Sequence, residues 1–220
     1  GGVVNYNNAM GNCRWNIVSV YDYNFRTYLN TLASVKYLGV KKANKATIPY
    51  GYTKVQETKN KKYSIYENKY ALPLGYTYDK IVSVDTVDKY SAAEKQDISM
   101  LAAIVEDKDM KKNSNITVAD KLPATAKKIK IKKMKLDGVS IDGDTIKIEK
   151  PGATMKFAFE APANAETYLS LRGDIYSEKD AKEHFLMAKV QAKGVKYDYK
   201  FRIDAYRTGQ EEYLFNLGYR

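Results

Sequence analysis

Lys127-Lys-Ile-Lys-Ile-Lys-Lys-Met-Lys-Leu-Asp-Gly-Val-Ser-Ile-Asp-Gly-Asp-Thr-Ile-Lys-Ile148 is the stretch that decides the fold class. From Lys128 to Lys132 it alternates at period two, which places lysines on one face of a strand and isoleucines on the other. Ile129 and Ile131 are odd-numbered, whereas Met134 and Leu136 are even-numbered. A phase slip of one residue predicts a β-bulge at the slip. Ser140 to Ile148 then predicts a hairpin with an Asp142-Gly143 turn. Further strand-like runs follow at Met155–Phe159, Tyr168–Leu171, Phe185–Val190, Tyr197–Ile203 and Tyr213–Leu217. Short strands punctuated by Gly and Pro predict a β-sandwich of jelly-roll type.

Upstream the pattern is mixed. Trp15–Tyr21 reads as a strand. Asn24 offers an N-cap to a helix carrying Phe25, Tyr28, Leu29 and Leu32. Ala33–Val40, Ile65-Tyr66 and Ile81–Val84 read as strands. Ser91-Ala-Ala-Glu94 is a capping box, in which the Ser hydroxyl and the Glu carboxylate satisfy each other's backbone N–H groups. It opens a helix expected over 91–105, with Ile98, Leu101, Ala102 and Val105 on one face. Ser177–Asp180 offers a cap to a short helical turn. The polar segment Lys111–Asn115 and the break at Leu122-Pro123 suggest a boundary near 120. The expected organisation is therefore mainly β with a smaller α+β part: a mixed domain over 1–120 and a β-sandwich over 121–220.

The chain has 220 residues, 44% of them hydrophobic, which is enough for a packed core despite a net charge of +11. One Cys excludes an internal disulfide, and one His excludes zinc triads and paired-His sites. The apolar run Met100–Val105 is far short of the roughly 20 residues that a spanning helix needs. Of 37 basic residues, six are Arg and 31 Lys. A/T-rich codons account for much of this lysine, and a basic aromatic surface facing an anionic polymer or a glycan is the sharper reading.

The residues bear on four chemistries. Six lysines in 127–135 are a candidate for phosphate contact. Their alternation makes them a solvated strand face, and with so little Arg no nucleic-acid partner is expected. Asp137-Gly138 and Asp142-Gly-Asp144 lack the calcium-loop spacing and serve as turns, so no metal is expected. Cys13 and His184 carry no local signature of a nucleophile–base pair. No spacing singles out two of the 26 acids as a glycosidase pair.

Two segments concentrate Tyr among Gly and Pro: Ile48-Pro-Tyr-Gly-Tyr52 and Tyr66-Glu-Asn-Lys-Tyr-Ala-Leu-Pro-Leu-Gly-Tyr-Thr-Tyr78. A Tyr ring stacks on the C–H face of a sugar while its hydroxyl supplies a hydrogen bond. The alternative is that these rings plug a small core. On the first reading the glycan-binding set is Tyr50, Tyr52, Asn68, Tyr70, Tyr76 and Tyr78. Lys36 and Tyr37 are expected to be structural.

The second segment resembles the signature of the YfhO family of bacterial multi-spanning membrane proteins, through Asn68 and Leu72-Pro-Leu-Gly-Tyr-Thr-Tyr78. Asn68 precedes Leu72 by one residue more than the family spacing. Ala33–Val40 resembles the family's VKY strand, and Ile17–Tyr23 its Ser/Tyr-rich segment. Lys95, Gln96 and Leu101 resemble a family helix. The resemblance covers about residues 14–105, and Tyr213–Gly218 is the best match beyond 120. It implies an extracytoplasmic domain between membrane spans of a glycosyltransferase that uses a lipid-linked sugar donor. Gram-positive members are associated with sugar addition to lipoteichoic acid of the cell wall. The implied catalytic acid lies in an early loop outside this chain, so the chain itself is expected to hold neither catalytic residue nor cofactor. Two alternatives remain from the residues alone: a secreted glycan-binding or adhesive β-sandwich without activity, and a hydrolase using paired carboxylates.

Overall fold

A computed structural model describes the chain apart from residues 1, 13–14, 17–18, 21, 43–47, 111–114, 124, 173–185, 193–194 and 202–209. Strand is the dominant element and helices are few and short, which makes the protein mainly β with an α+β part. The chain divides into two compact units, one of residues 1–126 and 166–219, the other of residues 127–165 and Arg220. The sequence gives no sign that the chain returns to the first unit at Glu166.

In the first unit, strand Glu212–Tyr219 is central. Tyr213 through Leu217 are all buried, so both of its faces are covered, as a non-alternating apolar run requires. One edge pairs antiparallel with Glu166–Arg172. Along its length, bonds arrive from residues close to the other end of the chain. The Leu214 N–H donates to the Gly11 carbonyl at 2.9 Å. The Asn24 side chain donates to the Leu214 carbonyl at 3.1 Å, and Asn216 donates to the Phe25 carbonyl at 2.9 Å.

Asn24 is therefore not a helix cap. It and Phe25 form a left-handed turn, at φ 53° and 56°, and the helix Thr27–Leu32 starts after Arg26 without a side-chain cap. The capping box at Ser91 and Glu94 is formed, but its helix is Ala92–Leu101. Ala102 is already extended, and Ala103–Val105 is a strand parallel to Lys80–Ser83. Thr117–Val118 pairs parallel on the other side of Lys80–Ser83. Helix Ala92–Leu101 is thus the crossover of a βαβ unit. Ile98 on its buried face and Ala102 just after its end pack with Val82, Val87 and Leu122, while Leu101 is exposed.

Tyr63–Asn68 is the middle strand of an antiparallel three-stranded sheet, between Tyr37–Lys41 and Tyr52–Glu57. Lys36 pairs with Glu67 at 3.6 Å, and Tyr37 is exposed on its paired strand. Trp15–Tyr21 is not one strand. Trp15–Asn16 and Ser19–Val20 pair as a small hairpin. Leu186–Ala192 and Val195–Phe201 form another antiparallel pair. The helical turn expected at Ser177–Asp180 and the residues Cys13 and His184 lie outside the described residues.

The second unit is one long hairpin bent at Gly138, whose φ is +63°. Lys133–Asp137 pairs with Thr154–Ala158, and nested within it Val139–Asp142 pairs with Thr145–Ile148. Gly143 and Asp144 form the two-residue loop, and Gly143 at φ +58° supplies the positive first position of a II′ turn. The alternating stretch 128–132 is not in a strand, and no bulge occurs at the slip. Alternation assigns faces, but a ladder also needs a partner, and the partner Thr154–Ala158 is used up by Lys133–Asp137. No jelly-roll pairing occurs among the described residues. Their sheets have two or three strands each.

Candidate functional site

Two tight turns build an aromatic cluster. In Ile48–Tyr52 the Tyr52 N–H donates to the Pro49 carbonyl, with Gly51 at φ +80°. This is a type II turn, which places Tyr50 at the apex and requires glycine after it. The second turn is organised by Asn68. Its buried amide donates to Thr31 Oγ1 at 3.3 Å and to the Val35 carbonyl at 3.2 Å, while its Oδ1 accepts from the Tyr70 N–H at 3.0 Å. The Lys69 N–H donates to the Gly51 carbonyl at 3.1 Å and so joins the two turns.

The result is an exposed platform. Tyr50 stacks on Tyr219 with centroids 3.7 Å apart and planes 15° apart. Tyr70 stands 6.0 Å from Tyr50 at a tilt of 33°, and its hydroxyl donates to that of Tyr50 at 3.3 Å. Lys69 Nζ lies 4.8 Å from the Tyr70 centroid and 5.6 Å from that of Tyr50, within reach of both ring quadrupoles. Hydrogen bonds from Tyr70 and Tyr219, with Lys69 nearby, hold the Tyr50 phenol below its ordinary pKa. Lys69 is pushed up, chiefly by its hydrogen bond to Tyr70, and stays a cation.

The six residues named from sequence separate into roles. Tyr50 and Tyr70 are exposed and form the platform with Tyr219. Tyr52 and Asn68 are buried supports, and the Tyr52 hydroxyl donates to the Val35 carbonyl at 3.3 Å. Burial pushes the Tyr52 phenol up to about 12. Tyr76 and Tyr78 meet edge to face at 5.6 Å, apart from the stack. Their hydroxyls donate to the Leu32 and Ser99 carbonyls at 2.9 and 2.6 Å. Tyr219 and Lys69 escaped the sequence reading. Lys69 sits inside the quoted segment, but nothing local ties Tyr219 to Tyr50.

Behind the platform runs a polar network. The Thr27 hydroxyl donates to the Tyr50 carbonyl at 2.8 Å and lies 3.3 Å from Glu166 Oε1. Asn216 donates to the same Glu166 oxygen at 3.1 Å, and the Tyr168 hydroxyl donates to Glu166 Oε2. Gln96 bridges Tyr168 and Arg26: its amide donates to the Tyr168 oxygen at 3.1 Å and its Oε1 accepts from Arg26 Nε at 2.8 Å. Arg26 is 0% exposed, and its Nη1 donates to the Met10 carbonyl. Burial, followed by the Glu166 charge, pushes the Tyr168 phenol well above its usual range. Through Thr27 the network bonds to the backbone of Tyr50. Among the described residues no three His, Cys, Asp or Glu side chains are grouped to hold a metal ion.

The family model described as bacterial membrane protein YfhO matches residues 3–220. The chain belongs to the YfhO family. One similar protein is the uncharacterized protein YfhO of Bacillus subtilis (strain 168), 37% identical over 82 residues. The match covers 37% of this chain and 9% of that protein, so it spans a small part of the YfhO relative. No solved structure matches. No helix among the described residues is long and apolar enough to cross a membrane.

Proposed function

We propose that this YfhO-family chain is an extracytoplasmic domain that assists sugar transfer from a lipid-linked donor to a cell-wall glycopolymer such as lipoteichoic acid. The catalytic residues and membrane spans belong to the rest of the protein. The domain's part is to hold the polymer. The observation that carries this reading is the exposed Tyr50–Tyr219 stack with Tyr70 and the Lys69 cation beside it. Stacked rings offer C–H/π contact to a sugar face, and Lys69 offers a charge to a polymer phosphate. Membership of a membrane-protein family favours this over a free-standing secreted adhesin.

The test is calorimetric titration of the chain with deacylated lipoteichoic acid fragments. Saturable binding is expected, weakened about tenfold or more in the Tyr50→Ala/Tyr70→Ala double variant. It should also weaken as salt rises and shortens the Debye length below about 8 Å. No saturable binding, or binding indifferent to both rings, overturns the reading.

A further inference from the structure

The turn Leu72-Pro73-Leu74-Gly75 lies in the segment 69–78, which contains Lys69 and no acidic residue. Leu74 is 97% exposed, and Pro73, Gly75 and Tyr76 are exposed beside it. A lone exposed leucine on a surface is ordinary. This one is held out by fixed struts. Ser34 Oγ donates to the Pro73 carbonyl at 2.9 Å on one side of it, and the Tyr76 hydroxyl donates to the Leu32 carbonyl at 2.9 Å on the other. Both struts rise from the C-terminal end of helix Thr27–Leu32 and the residues just after it. Hydrogen bonds therefore tie the turn on both sides of the apex, and an apolar side chain is presented to water.

An apolar apex between amphipathic tyrosines, with a cation and no carboxylate in the segment, has the composition of a bilayer-interface anchor. Leucine enters the acyl boundary, Tyr rings sit at headgroup depth, and lysine meets lipid phosphate. The protein belongs to a family of bacterial membrane proteins, and its net charge of +11 complements an anionic leaflet. We infer that the Leu72–Tyr76 turn docks on an anionic lipid bilayer, with Leu74 entering the acyl boundary and Tyr76 at headgroup depth. One leucine and a few rings bind weakly by themselves. Attachment to a membrane protein raises the effective concentration enough for weak docking to orient the domain. The inference does not rest on polymer binding, since Leu74 is no part of the Tyr50–Tyr219 stack.

The experiment is co-sedimentation of the 220-residue chain with vesicles of phosphatidylglycerol and phosphatidylethanolamine in equal parts, against vesicles of phosphatidylcholine. Binding to the anionic vesicles is expected. Leu74→Glu should weaken it about tenfold or more, because a buried side chain becomes a charge facing anionic lipid. Leu74 contributes almost no packing, so the thermal melt of this variant should match the parent's. Tyr50→Ala should keep vesicle binding even where it loses polymer binding, which separates the two proposals. Equal binding of parent and Leu74→Glu, or no binding by the parent, overturns the inference. So does self-association without vesicles that Leu74→Glu abolishes, because the turn would then dock a second copy of the chain.

Discussion

The ring of Tyr70 lies against the backbone of Gly51, so close that a Cβ on Gly51 would sit 2.5 Å from its Cε2 atom. The turn that exposes Tyr50 and the ring that flanks it therefore depend on one missing methyl group. Gly51→Ala should cost about 1–3 kcal/mol, since the residue also holds φ +80°. Urea unfolding measures the loss. Adding Tyr70→Ala should recover the part due to the clash and leave the backbone part.

The polar network behind the platform makes a second prediction. Gln96→Leu keeps the approximate volume but deprives the buried Arg26 Nε of its acceptor and Tyr168 of a donor. Leaving a buried charged donor unsatisfied should cost about 3 kcal/mol. A Gln96→Leu variant as stable as the parent in urea would mean that the network is not what holds Arg26.

Alkaline titration should resolve the tyrosines by environment. Phenolate absorbance should appear first from Tyr50, which its neighbours hold below the ordinary value of 10.0. Tyr52 and Tyr78, raised to about 12 mainly by burial, should ionise well after it, and Tyr6 and Tyr168, which burial raises further, later still. For Tyr52 and Tyr78 the folded-state pKa lies above the unfolded one, so the folded form keeps these protons when the unfolded form has lost them. Their stabilising contribution is complete below pH 10 and is lost as pH rises to about 12. Tyr52→Phe should flatten that part of the stability profile.

At the acid end, Glu57 accepts hydrogen bonds from Lys42 at 2.7 Å and from Lys54, which hold its carboxyl at about 2. Here the folded pKa lies below the unfolded one. The contribution is present above the ordinary value of 4.5 and is lost as pH falls towards 2. A carbon-13 titration of the Glu57 carboxyl should give a midpoint near 2. In Lys42→Met/Lys54→Met it should return to the ordinary carboxylate range.

Local signals in the sequence led to the right structures. Ser91 and Glu94 form their box, the Asp142–Thr145 turn closes its hairpin, and Pro49-Tyr-Gly51 projects Tyr50, because each depends on residues within a few positions. Interactions between distant residues were not legible. Nothing near Leu101 marks a helix end, and the strand after it exists because Lys80–Ser83 offers a parallel edge. The alternation at 128–132 carries the face pattern of a strand, yet the ladder with Thr154–Ala158 starts at Lys133, and Lys132 adds one N–H bond to the Ala158 carbonyl. Tyr219 reaches Tyr50 only because Glu212–Tyr219 runs through the first unit. Arg26 carries no local mark of burial, yet it is fully buried, held by Gln96 from 70 positions away.

The bonds from Gly11, Asn24 and Asn216 have a temporal consequence. The central strand of the first unit is made about 190 residues or more after its partners near residues 11 and 25. Roughly ten to forty seconds separate them at about 5–20 residues per second of translation. Throughout that interval the early segment has no strand to pair with, and its apolar side chains Met10 and Leu29 wait uncovered. Nascent chains of this protein should therefore depend on a holding chaperone or on translocation in the unfolded state, and the first unit should form in a single late step once Glu212–Tyr219 arrives.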